Sequence, residues 1–145
     1  DTYTALHVAA QNGHLKICKM ILEEIVDKNP TETMTGFTPL HLAAIGGHLE
    51  ICKLIAKYLI DKNPKRNDGV TPLHSAAQKG HMKIYNFLLE RTEDKNPIDD
   101  HGITPFDFID EISDTLKSTV ILPPANLSSK SSKVKRKLSK TCVLL

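Results

Sequence analysis

Tryptophan is absent from this chain, and the other aromatics are few: three tyrosines and four phenylalanines in 145 residues. A core built chiefly from Ile, Leu and Ala suits small helices packed in series. It suits an aromatic-rich sandwich, or an enzyme with a large apolar cavity, less well. Cysteine is scarce and odd in number. Cys18, Cys52 and Cys142 provide neither a disulfide framework nor the spacing of a zinc site, and they fit a reducing compartment. No hydrophobic run approaches the length of a membrane span, and the first residues lack the pattern of a signal peptide, so the chain reads as cytosolic in type. Also missing are a His-Glu-x-x-His pair, a Gly-rich phosphate loop and a Gly-x-Ser-x-Gly elbow, so the sequence contains no recognisable reaction chemistry. No enzyme activity, cofactor, metal, nucleic acid or small-molecule substrate is expected.

Acidic residues are absent from one part of the chain altogether. Residues 115 to 145 hold seven Lys and Arg and no Asp or Glu, a balance of +7, whereas residues 1 to 114 hold twelve against seventeen, a balance of −5. The net +2 therefore divides into a mildly acidic body and a basic tail suited to an anionic surface.

What is present is repetition. Thr38-Pro39-Leu40-His41-Leu42-Ala43-Ala44, then Gly46-Gly47-His48, has counterparts beginning at Thr4, Thr71 and Thr104, in steps of 34, 33 and 33 residues. Threonine before proline starts a helix, because the hydroxyl caps a free N–H and proline at the first helical position gives up no hydrogen bond. Paired alanines leave no bulk against a neighbouring backbone, and Gly47 can take the left-handed conformation that closes a short helix. Asp27-Lys28-Asn29-Pro30, Asp61-Lys62-Asn63-Pro64 and Asp94-Lys95-Asn96-Pro97 recur in phase. After each Gly-His, apolar residues at three- and four-residue spacing make one face of a second helix: Ile17, Cys18, Ile21 and Leu22; Ile51, Cys52 and Ile55; Ile84, Tyr85, Leu88 and Leu89. A fixed period of this length means a solenoid. Small residues on the first helices and larger ones on the second imply curvature, concave on the inner side.

These residues resemble the ankyrin-repeat family, whose Thr-Pro-Leu-His-x-Ala-Ala and Gly-His appear almost unbroken at 38 to 48 and 71 to 81. The resemblance covers roughly residues 1 to 110 and implies an all-α solenoid of helix-turn-helix repeats joined by β-hairpin-like loops. The units are residues 1–33, 34–66 and 67–99, a degenerate capping repeat over 100–124, and a disordered polybasic tail over 125–145. Where the family usually ends its second helix with Gly-Ala, this chain has Ile25-Val26, Leu59-Ile60 and Thr92-Glu93, so the helix is expected to run on by a turn to Asn29, Asn63 or Asn96. Thr2 replaces the turn glycine, Ala5 the proline, and Asp1 is not a methionine, which suggests a start inside a longer array. In the fourth block Asp107 stands for the histidine and Ile109-Asp110 for the alanine pair, the marks of a cap.

Six of the seven histidines fall at two repeated positions: His7, His41 and His74 at the third helical residue, and His14, His48 and His81 at the helix junction. Periodicity, not catalysis, explains them. Cys18 and Cys52, one repeat apart, read as small buried hydrophobes. Tyr3, Phe37, Val70 and Ile103, each just before its threonine, form an apolar ladder at successive loop tips. The family resemblance adds Gln11, Asn12, Ile45, Gln78 and Lys79 on the first helices and Met34 and His101 on the tips as residues that would meet a protein partner. Alternatively, the ladder packs on itself within the hairpin row.

Cys142-Val143-Leu144-Leu145 matches the C-a-a-X box of a prenylated terminus, of the geranylgeranyl type. Lys130, Lys133, Lys135, Arg136, Lys137 and Lys140 supply the second signal that a single lipid needs. At about 1 kcal/mol per basic residue near an anionic leaflet they contribute roughly 6 kcal/mol at most. The expected function is thus a protein-binding scaffold tethered to the cytoplasmic face of a membrane. The competing readings are a soluble or nuclear adaptor with Lys135-Arg136-Lys137 as an import signal, and a C-terminal fragment of a larger protein whose activity lies elsewhere.

Overall fold

The computed structural model describes residues 2–110. Seven helices follow one another: α1 (Ala5–Gln11), α2 (Leu15–Glu24), α3 (Pro39–Gly46), α4 (Leu49–Ala56), α5 (Pro72–Gln78), α6 (Met82–Leu89) and α7 (Pro105–Asp110), with no strand among the described residues. Each of the first three pairs is an antiparallel hairpin, and the pairs stack in register. Contact between successive first helices is more extensive than between successive second helices. That is the packing expected from alanine on one layer and bulkier aliphatics on the other.

The alanines at the stacking face, Ala9, Ala10, Ala43, Ala44, Ala76 and Ala77, are all buried. Leu6, Leu40 and Leu73 from the first helices and Leu22, Ile51, Ile55, Ile84 and Leu88 from the second complete one continuous core. Cys18 and Cys52 lie in it fully buried, and burial pushes the Cys52 thiol up to about 12 and raises that of Cys18, which keeps both protonated and inert. In the third repeat the same position is Tyr85, whose buried hydroxyl has no hydrogen-bond partner among the described residues and is pushed up to about 12 by burial.

The second helices do not run on to the asparagines. α2 ends at Glu24 because Ile25 turns extended (φ −79°, ψ 148°), while α4 and α6 end at Ala56 and Leu89. In the first and third repeats the Lys of the Asp-Lys-Asn-Pro segment folds back as a C-terminal cap: Lys28 Nζ donates to the Leu22 and Ile25 carbonyls, and Lys95 Nζ to that of Leu89. The aspartate closes the loop as an Asx turn, accepting from the N–H of Asn29 (2.9 Å), Asn63 (2.8 Å) and Asn96 (3.1 Å).

In the junction motif, Gly13 and Gly47 have φ of +77°. A Cβ on Gly13 would sit 2.6 Å from the His48 ring, and one on Gly47 2.8 Å from the His81 ring, so glycine is required on both counts.

The fourth unit keeps the helix entry and changes its chemistry. Asp107 Oδ2 accepts from the N–H and the hydroxyl of Thr104, each at 2.8 Å, taking over the local role of the histidine. Ile109 is buried where the other units have alanine, and α7 packs on α5.

Candidate partner-binding surface

The first turn of each first helix is locked by its histidine. His7, His41 and His74 accept at Nδ1 from the backbone N–H of Thr4, Thr38 and Thr71 at 3.1, 3.3 and 3.1 Å, with each threonine hydroxyl 2.9 Å from the same nitrogen. Across to the next repeat, Nε2 meets the carbonyls of Phe37, Val70 and Ile103 at 3.0, 3.1 and 3.1 Å. A backbone N–H only donates and a carbonyl only accepts, so the rings are neutral with the proton on Nε2. Burial lowers the pKa of all three, that of His41 to about 3.

These bonds hold a row of hairpins edge to edge. Within hairpins, the N–H groups of Glu32, Arg66 and Asp99 donate to the carbonyls of Phe37, Val70 and Ile103 at 2.8, 2.8 and 3.0 Å. Between hairpins, Asn67 N–H donates to Thr35 (3.2 Å), Asp100 N–H to Asp68 (3.0 Å), and Asn67 Nδ2 to the Met34 carbonyl (3.1 Å). The Glu32 carboxylate ties down the first tip by accepting from the Met34 and Thr35 N–H groups at 2.7 and 2.8 Å. These bonds, with that from the Thr35 hydroxyl the strongest, hold its pKa below the usual carboxylate value.

On this frame the apolar ladder is half-buried at Phe37, Val70 and Ile103 and exposed at Tyr3. The Arg66 guanidinium lies 4.0 Å from the Phe37 ring centroid and pairs with Asp68 at 2.9 Å, and His41 meets Phe37 edge-on at 6.0 Å. Phe37, Val70 and Ile103 thus offer their carbonyls to the frame and only part of their side chains to solvent.

The exposed chemistry lies beside the ladder. Met34 is 79% exposed, and Gln11, Asn12, Gln78, Lys79 and His101 are also exposed, with Ile45 half-buried among them. Gln11 Oε1 accepts from the Tyr3 hydroxyl at 2.8 Å, Asn12 Nδ2 donates to the Val8 carbonyl at 2.8 Å, and His101 Nδ1 lies 3.9 Å from Asp99. The carbonyls of Gln11 and Ile45 take Nε2–H of His48 and His81, each at 3.1 Å, so the ends of the first helices are pinned from behind.

Arg66 and Asn67 belong to this surface and escape a reading of the repeat pattern, because neither recurs at its register position. Val26 and Ile60, one repeat step apart, are fully exposed at the opposite edge. Lys130, Lys133, Lys135, Arg136, Lys137, Lys140 and Cys142, with most of the 100–124 unit, lie outside the described residues.

A search of the curated proteins finds no match to the chain. The family model described as ankyrin repeats (3 copies) matches residues 6–99. With the repeated threonine–histidine lock and the stacked helix pairs, this chain belongs to the ankyrin-repeat family.

Proposed function

We propose that this chain is an ankyrin scaffold that binds a protein across its loop tips and first-helix ends, and is held at the cytoplasmic face of a membrane by a prenylated, polybasic C-terminus. Ankyrin repeats make a protein-interaction module the fitting function class. The observation that carries the surface is that exposed Met34 and Gln11 sit on backbone held by inter-repeat hydrogen bonds, from Asn67 Nδ2 to the Met34 carbonyl and from His48 to the Gln11 carbonyl, with Gln78 and Lys79 exposed at the same helix end in the third repeat. Backbone already fixed in this way loses little further freedom when a partner docks, so more of the contact energy remains as affinity. The tail reading rests on the sequence: Cys142 in its terminal box and six cations ahead of it.

The test is capture from a membrane extract with the full chain as bait, beside the triple variant Met34→Ala, Gln78→Ala, Lys79→Ala. A protein retained by the unaltered chain and lost with the triple variant, at equal melting temperature, supports the surface. Equal capture by both places the contact elsewhere.

A further inference from the structure

The helix pairs carry different charge at their two ends. Because each pair is an antiparallel hairpin and the pairs stack in register, every second helix begins at one edge of the array, beside the end of its first helix, and finishes at the other. At the edge where they begin, two positions of the first turn recur along the stack: Lys16, Glu50 and Lys83, all exposed, and Lys19, Lys53 and Asn86. Glu50 is taken by Lys53 at 2.7 Å, so Lys16, Lys19 and Lys83 have no ion-pair partner among the described residues. Lys79, exposed just after α5, borders them. At the other end the exposed charges are Glu23, Glu24 and Asp27 in the first repeat and Glu90, Glu93 and Asp94 in the third, while Lys28 and Lys95 are turned back onto carbonyls.

This order is the reverse of the one that helices prefer, since a helix N-terminus already carries partial positive charge and a cation beside it is unfavourable. Neither α2 nor α6 has an acidic residue in its first turn or a basic one in its last. Helix stability therefore does not account for the lysines. One sign of charge along one edge, with the opposite sign at the far end, orients the body toward an extended anionic surface.

We propose that this edge is the face that the array lays against an anionic bilayer, with Lys16, Lys19 and Lys83 meeting the lipid headgroups. The proposal rests on the membrane reading of the tail given above. Two features favour a bilayer over another polyanion. A cleft of about 450 Å³ opens at this edge between the second and third repeats, and its lining includes Leu49, Met82 and Ile84 together with His81 and Lys83, a pairing of apolar and basic groups that suits an amphiphile. The described chain also ends on this side: α7 packs on α5 as the other first helices pack on one another, and it finishes at Asp110. Cys142 lies 32 residues further on, a span of at most about 110 Å, so a lipid there and the lysine edge can engage one bilayer. Once the lipid is inserted, docking of the edge is intramolecular, and a few lysines suffice. Met34 and His101 at the hairpin tips stay clear of the bilayer in this orientation.

Binding of the full chain carrying Cys142→Ser to vesicles of phosphatidylcholine, with and without phosphatidylserine, tests the edge apart from the lipid. Lys16→Gln, Lys19→Gln and Lys83→Gln together should weaken binding to the phosphatidylserine vesicles at least about tenfold at unchanged melting temperature. Lys57→Gln, Lys62→Gln and Lys65→Gln remove the same charge away from this edge and should change it less than about twofold. In the same background, where Cys18 and Cys52 are buried, a dye attached through Lys16→Cys should be quenched by spin-labelled headgroups and one attached through Ile60→Cys should not. Equal loss in the two triple variants, or equal quenching at the two positions, overturns the proposal and leaves the tail anchor standing. So does binding to duplex DNA that needs the three lysines while vesicle binding does not, since the patch then belongs to nucleic acid. The tail reading fails by a separate sign, an unmodified Cys142 in the chain recovered from cells, and the bilayer is then lost as the occupant too.

Discussion

The Nε2 of His41 lies 3.1 Å from the carbonyl oxygen of Val70, 29 residues further along the chain. This contact joins a helix cap in one repeat to the hairpin of the next, through a ring with no access to solvent. The array is therefore cross-linked between repeats by groups that must stay neutral, and its stability depends on pH for that reason.

Acid should weaken the fold well above the usual carboxylate range. The His41 pKa is about 3 in the fold against 6.5 in the unfolded chain, and those of His7 and His74 are also lowered. The unfolded state therefore binds more protons within that window. Stability is full above the unfolded value and falls as pH drops toward the folded one. At 1.36 kcal/mol per pH unit, His41 alone accounts for roughly 5 kcal/mol at the acid limit. Urea midpoints at pH 7.5, 6 and 5 should fall progressively, and His41→Gln should be weaker at pH 7.5 but less sensitive to acid. A flat midpoint across the range contradicts the neutral, buried ring.

Ala43→Leu and Ala76→Leu should loosen the stack around them. Both positions are fully buried between first helices, and overpacking costs roughly 1 to 3 kcal/mol. Hydrogen exchange should speed up in the neighbouring repeats. Unchanged protection there would remove these alanines from the stacking face.

Phe37 and Met34, three residues apart on one tip, should separate under mutation. Phe37→Ala loses the Arg66 and His41 contacts and should cost about 1 kcal/mol or more. Met34→Ala, at 79% exposure, should leave the melting temperature within error. Equal melting for both variants would make the Phe37 side chain a free surface group.

The lysine caps are open to the same kind of measurement. Lys28→Met keeps the alkyl chain and removes the bonds to the Leu22 and Ile25 carbonyls, an expected loss of about 0.5 to 1.5 kcal/mol seen as a lower urea midpoint. No loss would mean that water satisfies those carbonyls equally well.

The parts of this fold legible in sequence are those set by local chemistry at a fixed period. Threonine and proline at the helix start, alanine at the stacking face and glycine before histidine each state a local requirement, and repetition in phase makes the requirements reinforce one another. What the histidines bond to is not local, since the Val70 carbonyl that holds His41 becomes an acceptor only once the next hairpin is in place. The ends of the second helices are not legible in sequence for a related reason. Ile25-Val26 reads as helix continuation, and nothing short of the folded loop shows Lys28 capping the α2 carbonyls. The family resemblance puts Met34, Gln78 and Lys79 at the surface, and all three are exposed. The half-burial of Phe37 depends on Arg66, which has no counterpart in the other repeats.

The claim that the tail anchors this scaffold is tested most directly by fractionating cells that express the unaltered chain, Ser139→Glu and Cys142→Ser. Ser139 follows Arg136-Lys137-Leu138 at the spacing favoured by basophilic kinases, and phosphate there would place about −1.5 to −2 charges within six cations. A lipid with a weakened basic patch binds reversibly, and a basic patch without a lipid binds weakly. The account predicts membrane-bound unaltered chain, partial release with Ser139→Glu and complete release with Cys142→Ser. If Cys142→Ser stays on membranes as well as the unaltered chain does, or if the unaltered chain collects in the nucleus, the terminal box is not an anchor and the account is contradicted.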